Sequence, residues 1–476
     1  MHKSCKMVLS FATLLAITLT SVTRAADDAK PAAPRSSHKQ TKIISIPIGE
    51  EKVKIHTFCV DPKGRLLCSC GGEQMVTRRT PEGFKAEVIK SSPGIRVVSP
   101  AGELLAEWPV DFTPQTVNVG PDGFVYCGGA GKIAKLTMDG KIVKVIDAPN
   151  TKEMPPLPEI PKEIKMSDAE IKQREERKQK LTEQVAAVRQ EMSELRTKLM
   201  KDHQAKINQL AKQYTEKYKR AAAKDTDPEE AKKLRAEAMK ARTEMSKLTM
   251  QVYNSTEYQK VMETYREAYM RLRDVSMDPM QAALRQRSAA MRSRRISGIA
   301  INEQDVFICC QPPKGYGFQV WRGDQNLENF KMIVPSLRGC CGNMDIQAHG
   351  DKLYAAENSR KKVVVFDRDG EKLASWGGSG RDGLGENFGS CCNPMNIRFD
   401  HEGNVLTSES NVGVVKRFTP EGEFLGRVGR VEIIPGCKHV AIGVADNSQK
   451  VYMLDITRSH IVLMEPIEDK AKVATN

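Results

Sequence analysis

Between Phe388 and Gly429 the chain alternates apolar and polar positions in four short runs. Met395–Phe399, Val405–Ser408, Gly413–Phe418 and Phe424–Val428 each show the two-residue period of a half-buried strand. His401–Gly403 and Pro420–Gly422 supply turns between them. Looser copies of this unit run over about 56–110, 115–149, from 296 onward, 342–378 and 438–466. A four-strand repeat of this length with a turn glycine at a fixed offset is the pattern of a propeller blade. The alternation therefore predicts a mainly β chain, a six-bladed β-propeller. Residues 42–47 (KIISIP) can supply an outer strand that seals the last blade and removes its exposed edge.

The period changes between the second and third units. Ser167, Asp168, Ala169 and Glu170 read as a capping box opening a helix. Leu181, Val185, Val188, Met192, Leu195 and Leu199 then step by four and three, as in a heptad seam. Lys224–Pro228 breaks the pattern, with Pro228 suited to the first turn of a new helix. Leu234, Ala238, Ala241, Met245, Leu248 and Val252 resume the spacing, and Tyr258, Val261, Tyr265, Ala268, Leu272 and Val275 continue it after a phase slip near Ser255. The insertion, 151–295, is thus expected to be a long antiparallel α-helical coiled-coil hairpin projecting about 80 Å from the ring at ~1.5 Å per residue. Its stiff exit is the Pro-rich run 155–161.

The repeat, with PDGFVYCGG, HEGNVLTSES and VVKRFTPEGEFLGRVG as its best stretches, resembles the NHL-repeat family of six-bladed propellers over about 40–150 and 296–466. The resemblance implies a fold and little about activity, because these propellers serve as binding platforms, lyases and lactonases alike.

Composition adds location and charge. Lys3 and Lys6, the apolar run Met7–Val22 and Thr23–Ala25 read as an export signal of 25 residues, with an anchor helix as the alternative. Residues 26–41 form a leader ahead of the first strand, and 467–476 a tail. Export places the protein in the periplasm, at the cell surface or outside the cell. The formal charge of +14 is concentrated in the insertion, which holds 33 Lys and Arg against 23 Asp and Glu over 151–295. A solvated helical surface explains this; an anionic surface met by Arg285, Arg287, Arg292, Arg294 and Arg295 is the alternative. No nucleic-acid partner is expected, since no recognition motif or aromatic interleaving accompanies the charge.

Candidate chemistry lies in the cysteines. Cys341, Cys392 and Cys437 fall at one position of three successive blades, in GCCGNMDI, SCCNPMNI and PGCKHVAI, just before the innermost strand. Cys310, Glu357, Glu409 and Asp455, with Cys70, coincide at the end of the second strand. Both sets are expected at one mouth of the channel. With Cys340, Cys391, Met344 and Met395 they would suit copper or zinc, and the carboxylates could hold a cation such as calcium. The alternatives are disulfides between neighbouring blades and acids that cap the loop after strand two. No covalent haem motif (CxxCH) is present. His349 and His401 belong to the opposite face, His439 either joins the cysteines or serves as a hydrogen-bonding residue, and no set of histidines is expected to converge on the channel. No catalytic triad or phosphate-cradling loop can be placed. The leading expectation is a non-catalytic exported scaffold whose arm meets a protein partner or a second copy. A metal-dependent or redox enzyme at the channel mouth, or a propeller lyase or lactonase, stands second.

Overall fold

A computed structural model describes residues 36–46, 53–80, 83–160, 166–223, 225–313, 315–340, 342–380, 383–436 and 438–467. The export signal, Pro47, Cys341 and Cys437 lie outside the described residues. Six antiparallel sheets of four strands follow one another, and in five of them the strands are in simple chain order. Blades 1 to 5 span 55–109, 116–147, 296–337, 346–376 and 397–430. The first strands of neighbouring blades touch all the way round, including blade 6 against blade 1, so the ring is closed about a hub. The molecule is a six-bladed β-propeller with inserted helices.

The sixth blade takes its outer strand from the other end of the chain. His38–Ser45 pairs antiparallel with His460–Pro466. This strand begins four residues earlier than the pattern predicts, inside the expected leader. The cause is His38, a buried ring whose Nε2 reaches the Ser448 carbonyl at 3.0 Å.

Packing occurs between blades. Six apolar clusters fill the six interfaces between neighbouring sheets. The repeated turn glycine has a reason in this packing. Gly140 and Gly422 adopt φ of +88° and +97°, and a Cβ there would fall 2.1 Å from Trp108 and 2.2 Å from Trp376, each on the outer strand of the preceding blade. Only a residue without a side chain lets the hairpin close over the neighbouring indole.

Blade 1 contains an element the repeat does not foretell. Its middle strands, Leu66–Thr80 and Gly83–Val98, stay paired out to Thr80 and Gly83, far beyond the blade.

Four helices form the insertion: α1 (Asp168–Ala221), α2 (Pro228–Asn254), α3 (Thr256–Ser276) and α4 (Pro279–Ser293). The Ser167–Glu170 capping box is present at the start of α1, and Pro228 opens α2. The phase slip is a break in the helix: Ser255 ends α2 and caps α3 through its hydroxyl. α1 runs back along both α2 and α3. The seam residues from Leu181 to Leu199 are buried or half-buried, and most positions between them are exposed. Among the described residues no helix is long and apolar enough to cross a membrane.

Candidate functional site

A blade of four antiparallel strands returns the chain to the face from which it started. Every connection between blades therefore lies on one face of the ring. The helical insertion joins blade 2 to blade 3 and leaves from that face. The long hairpin of blade 1 extends the turn between strands two and three, so it rises there too. α4 meets the hairpin at its root, where Arg287 holds Glu73 with two bonds of 2.7 and 2.8 Å. A cavity of about 380 Å³ lies beneath them, lined by Pro93, Phe112, Thr113, Leu157 and Met291 among others. Of the basic stretch beside the ring, Arg287 is bound to Glu73, Arg294 to the Pro155 and Ala290 carbonyls, and Arg295 to Asn343. Arg285 and Arg292 remain exposed.

On this face the three carboxylates that end strand two act alike. Glu357 accepts from the Arg338 N–H at 3.0 Å, Glu409 from the Gly389 N–H at 3.1 Å and Asp455 from the Ile434 N–H at 3.3 Å. Each donor belongs to the chain arriving from the previous blade, so the acid clamps that connection. Glu409 also forms a fully buried ion pair with Lys416. Asp455 is held below the ordinary carboxylate range. Burial raises it, but the Ile434 and Thr457 N–H groups and Lys438 outweigh burial.

The cysteines divide into two groups. Cys59, Cys68, Cys70, Cys127, Cys309 and Cys310 are buried. Burial pushes the thiols of Cys59, Cys127 and Cys309 up to about 12 and that of Cys70 to about 11, so they stay protonated and pack as small apolar groups. Cys310 is among them, in the interface between blades 2 and 3. The second group is compact. Cys340, Cys391 and Cys392 bring their sulfurs within 4.8 Å of one another, the one such His/Cys/Asp/Glu cluster among the described residues. Cys392 Sγ lies 3.1 Å from Cys340 and 3.2 Å from Cys391. Cys392 is disulfide-bonded, whereas Cys340 and Cys391 are thiols.

Both predicted methionines are fully buried, Met344 between blades 3 and 4 and Met395 between blades 5 and 6. Met395 shares its cluster with Cys392, and Cys340 packs against it. Asn358 ties the two parts together: its Oδ1 accepts from the Cys340 N–H at 2.7 Å and its Nδ2 lies 3.8 Å from the Met395 sulfur.

The hub itself is lined by residues the repeat alignment passed over. Lys54 and Arg295 immediately precede the first strands of blades 1 and 3, His439 leads into that of blade 6, and His56 and Arg398 sit one residue inside theirs. Two histidines thus do converge on the channel, contrary to the sequence expectation. Burial holds His56 neutral down to about 4, although its ring bonds the Gly71 carbonyl at 2.8 Å. Burial, Arg295 and Arg398 hold His439 down to about 3. Both His439 ring nitrogens and Arg295 Nε are buried without a hydrogen-bond partner. Arg398 is compensated by Asp345 at 3.2 Å. The available signal was positional: every one of these side chains alternates with a core residue (Ile55, Ile296, Ile397, Val440) at the start of a first strand.

His349 and His401 sit on the other face, as expected. His349 stacks on Phe399 with ring centres 4.5 Å apart, and His401 Nδ1 meets Ser448 Oγ at 3.0 Å.

No protein-family model matches the chain, and no curated protein matches it. Several solved structures are similar to it at low identity. Virginiamycin B lyase from Staphylococcus aureus has 9% identity and a TM-score of 0.37, covering 90% of this chain and 99% of that one. A chain of the mitotic checkpoint complex has 8% identity and a TM-score of 0.39, covering 96% of this chain and 100% of that one. A protein of unknown function from Bacteroides thetaiotaomicron has 8% identity and a TM-score of 0.39, covering 90% of this chain and 75% of that one.

Proposed function

We propose that this protein is an exported, NHL-like propeller that works as a non-catalytic scaffold, with the helical hairpin as the arm that engages a protein partner or a second copy. One observation carries this reading. The insertion, the extended hairpin of blade 1 and every inter-blade connection rise from a single face, giving one working side with a long lever on it. The arm is tied at its base to the root of the blade 1 hairpin by the Arg287–Glu73 pair. It carries exposed Tyr218, Met239, Met250 and Tyr269, apolar groups suited to another helix. Excising 160–292 and joining the ends with a short flexible linker should leave the β circular-dichroism signal intact. It should abolish self-association in sedimentation velocity and partner capture from the exported fraction. Unchanged behaviour in both assays refutes the scaffold.

A second reading, a metal or redox centre, is favoured by the clustering of Cys340, Cys391 and Cys392. Soft thiolates at this spacing suit copper(I) or zinc. With Cys392 in a disulfide, metal loading would belong to the reduced protein. Elemental analysis with and without reductant tests it; no bound metal in either state removes this reading. A cation-dependent lyase or lactonase built on Glu357, Glu409 and Asp455 has less support, because each carboxylate already receives a backbone N–H.

A further inference from the structure

Among the described residues, the channel mouth carries positive charge that no carboxylate neutralises at Lys54 or Arg295. Lys54 and Arg295 lie at equivalent positions, one residue before the first strands of blades 1 and 3. Among the described residues neither has a carboxylate within 4.0 Å, in a protein where Arg287, Arg398 and Lys416 all have one. Their charges oppose each other: burial first, then Arg295, holds the Lys54 ammonium below its ordinary range. Arg295 is bonded through one nitrogen to Asn343 Oδ1 at 2.6 Å, and its Nε is buried without a partner. His439 adds two buried ring nitrogens with no partner at all. The acid among these first strands, Asp345, is consumed by Arg398, Asn396 and the Ile397 N–H.

Leaving Arg295 Nε and both His439 ring nitrogens buried and unsatisfied beside a second cation is costly, because buried polar groups are normally paired. The arrangement is relieved by a ligand that brings negative charge and several acceptor oxygens. We propose that the hub mouth is a binding site for a small oxyanion of charge about −2, a phosphate group either free or carried as a phosphomonoester, held by Lys54, Arg295 and His439. Arg295 supplies planar donors, Lys54 a mobile charge open to solvent, and a neutral His439 one N–H. The charge matches: two uncompensated cations against one dianion. The site lies where the insertion rejoins the ring, and it does not depend on the scaffold reading.

Isothermal titration calorimetry of the full chain in 150 mM chloride tests it, with inorganic phosphate in one arm and glycerol 3-phosphate in the other. Saturable one-to-one binding is expected in at least one arm, and the tighter arm identifies the free or esterified form. Lys54→Gln, at an exposed position, should weaken binding about tenfold without altering the fold, and His439→Asn and Arg295→Met should weaken it further. Absence of saturable heat in both arms overturns the proposal. So does binding that Lys54→Gln leaves within twofold of the unaltered chain, whatever the other two variants do.

Discussion

The ion pair between Glu409 and Lys416 offers the sharpest test of how the blades are joined. Both side chains are completely shielded from solvent. Lys416 Nζ also donates to the Asn387 carbonyl at 2.6 Å, and Glu409 Oε2 accepts from the Gly389 N–H. Gly383 makes room for this carboxylate, since a Cβ there would fall 2.0 Å from Oε2. Taking one member away strands the other in a medium where it cannot be hydrated. The expected loss is about 3–5 kcal/mol for Glu409→Ala or Lys416→Met. Glu409→Gln keeps an acceptor for the Gly389 N–H and should fall at the lower end. Removing both charges together, Glu409→Gln with Lys416→Met, leaves no buried ion and should cost less than the two single changes summed, by about 2 kcal/mol or more. Urea unfolding followed by tryptophan fluorescence reads this, because Trp376 lies 4.7 Å from Phe418, two residues beyond Lys416. Strict additivity in the cycle would refute the clamp. A loss that chelator reproduces in the unaltered chain would instead make Glu409 a cation ligand.

Gly422→Ala should destabilise the ring by roughly 2–4 kcal/mol in the same assay, combining a positive φ with a clash against Trp376; a change under about 0.5 kcal/mol would contradict the packing role of the turn glycine. Acid should weaken the fold through the hub histidines. His56 and His439 are held neutral to about 4 and about 3 when folded, so below about 6.5 the unfolded chain binds protons that the folded one refuses. Stability therefore falls as pH drops from about 6.5 toward 4, and the double change His56→Gln with His439→Asn should flatten that limb of the urea midpoint against pH.

Much of this architecture was written locally. A two-residue period with glycine at a fixed offset is satisfied by short strands and tight hairpins, and a seam stepping by four and three over Leu181–Leu199 and again over Leu234–Val252 is satisfied by a helix pair. The capping box at Ser167, the break at Pro228 and the interruption at Ser255 were readable because each acts within one turn of chain. The clamp acids Glu357, Glu409 and Asp455 were placed correctly at the end of strand two, since their position is set by the repeat. What they bond was decided by the neighbouring blade.

The rest depended on which blades came together. Both cysteine sets were expected at one mouth of the channel, yet Cys310 turns into the interface between blades 2 and 3, while Cys340, Cys391 and Cys392 meet across two connections. Lys54, His56, Arg295 and His439 are separated by as much as 385 positions in the numbering, and none belongs to a local motif. Only closure of the ring brings them to one mouth, because the register of each first strand decides which alternate side chains face the hub and which fill the space between sheets.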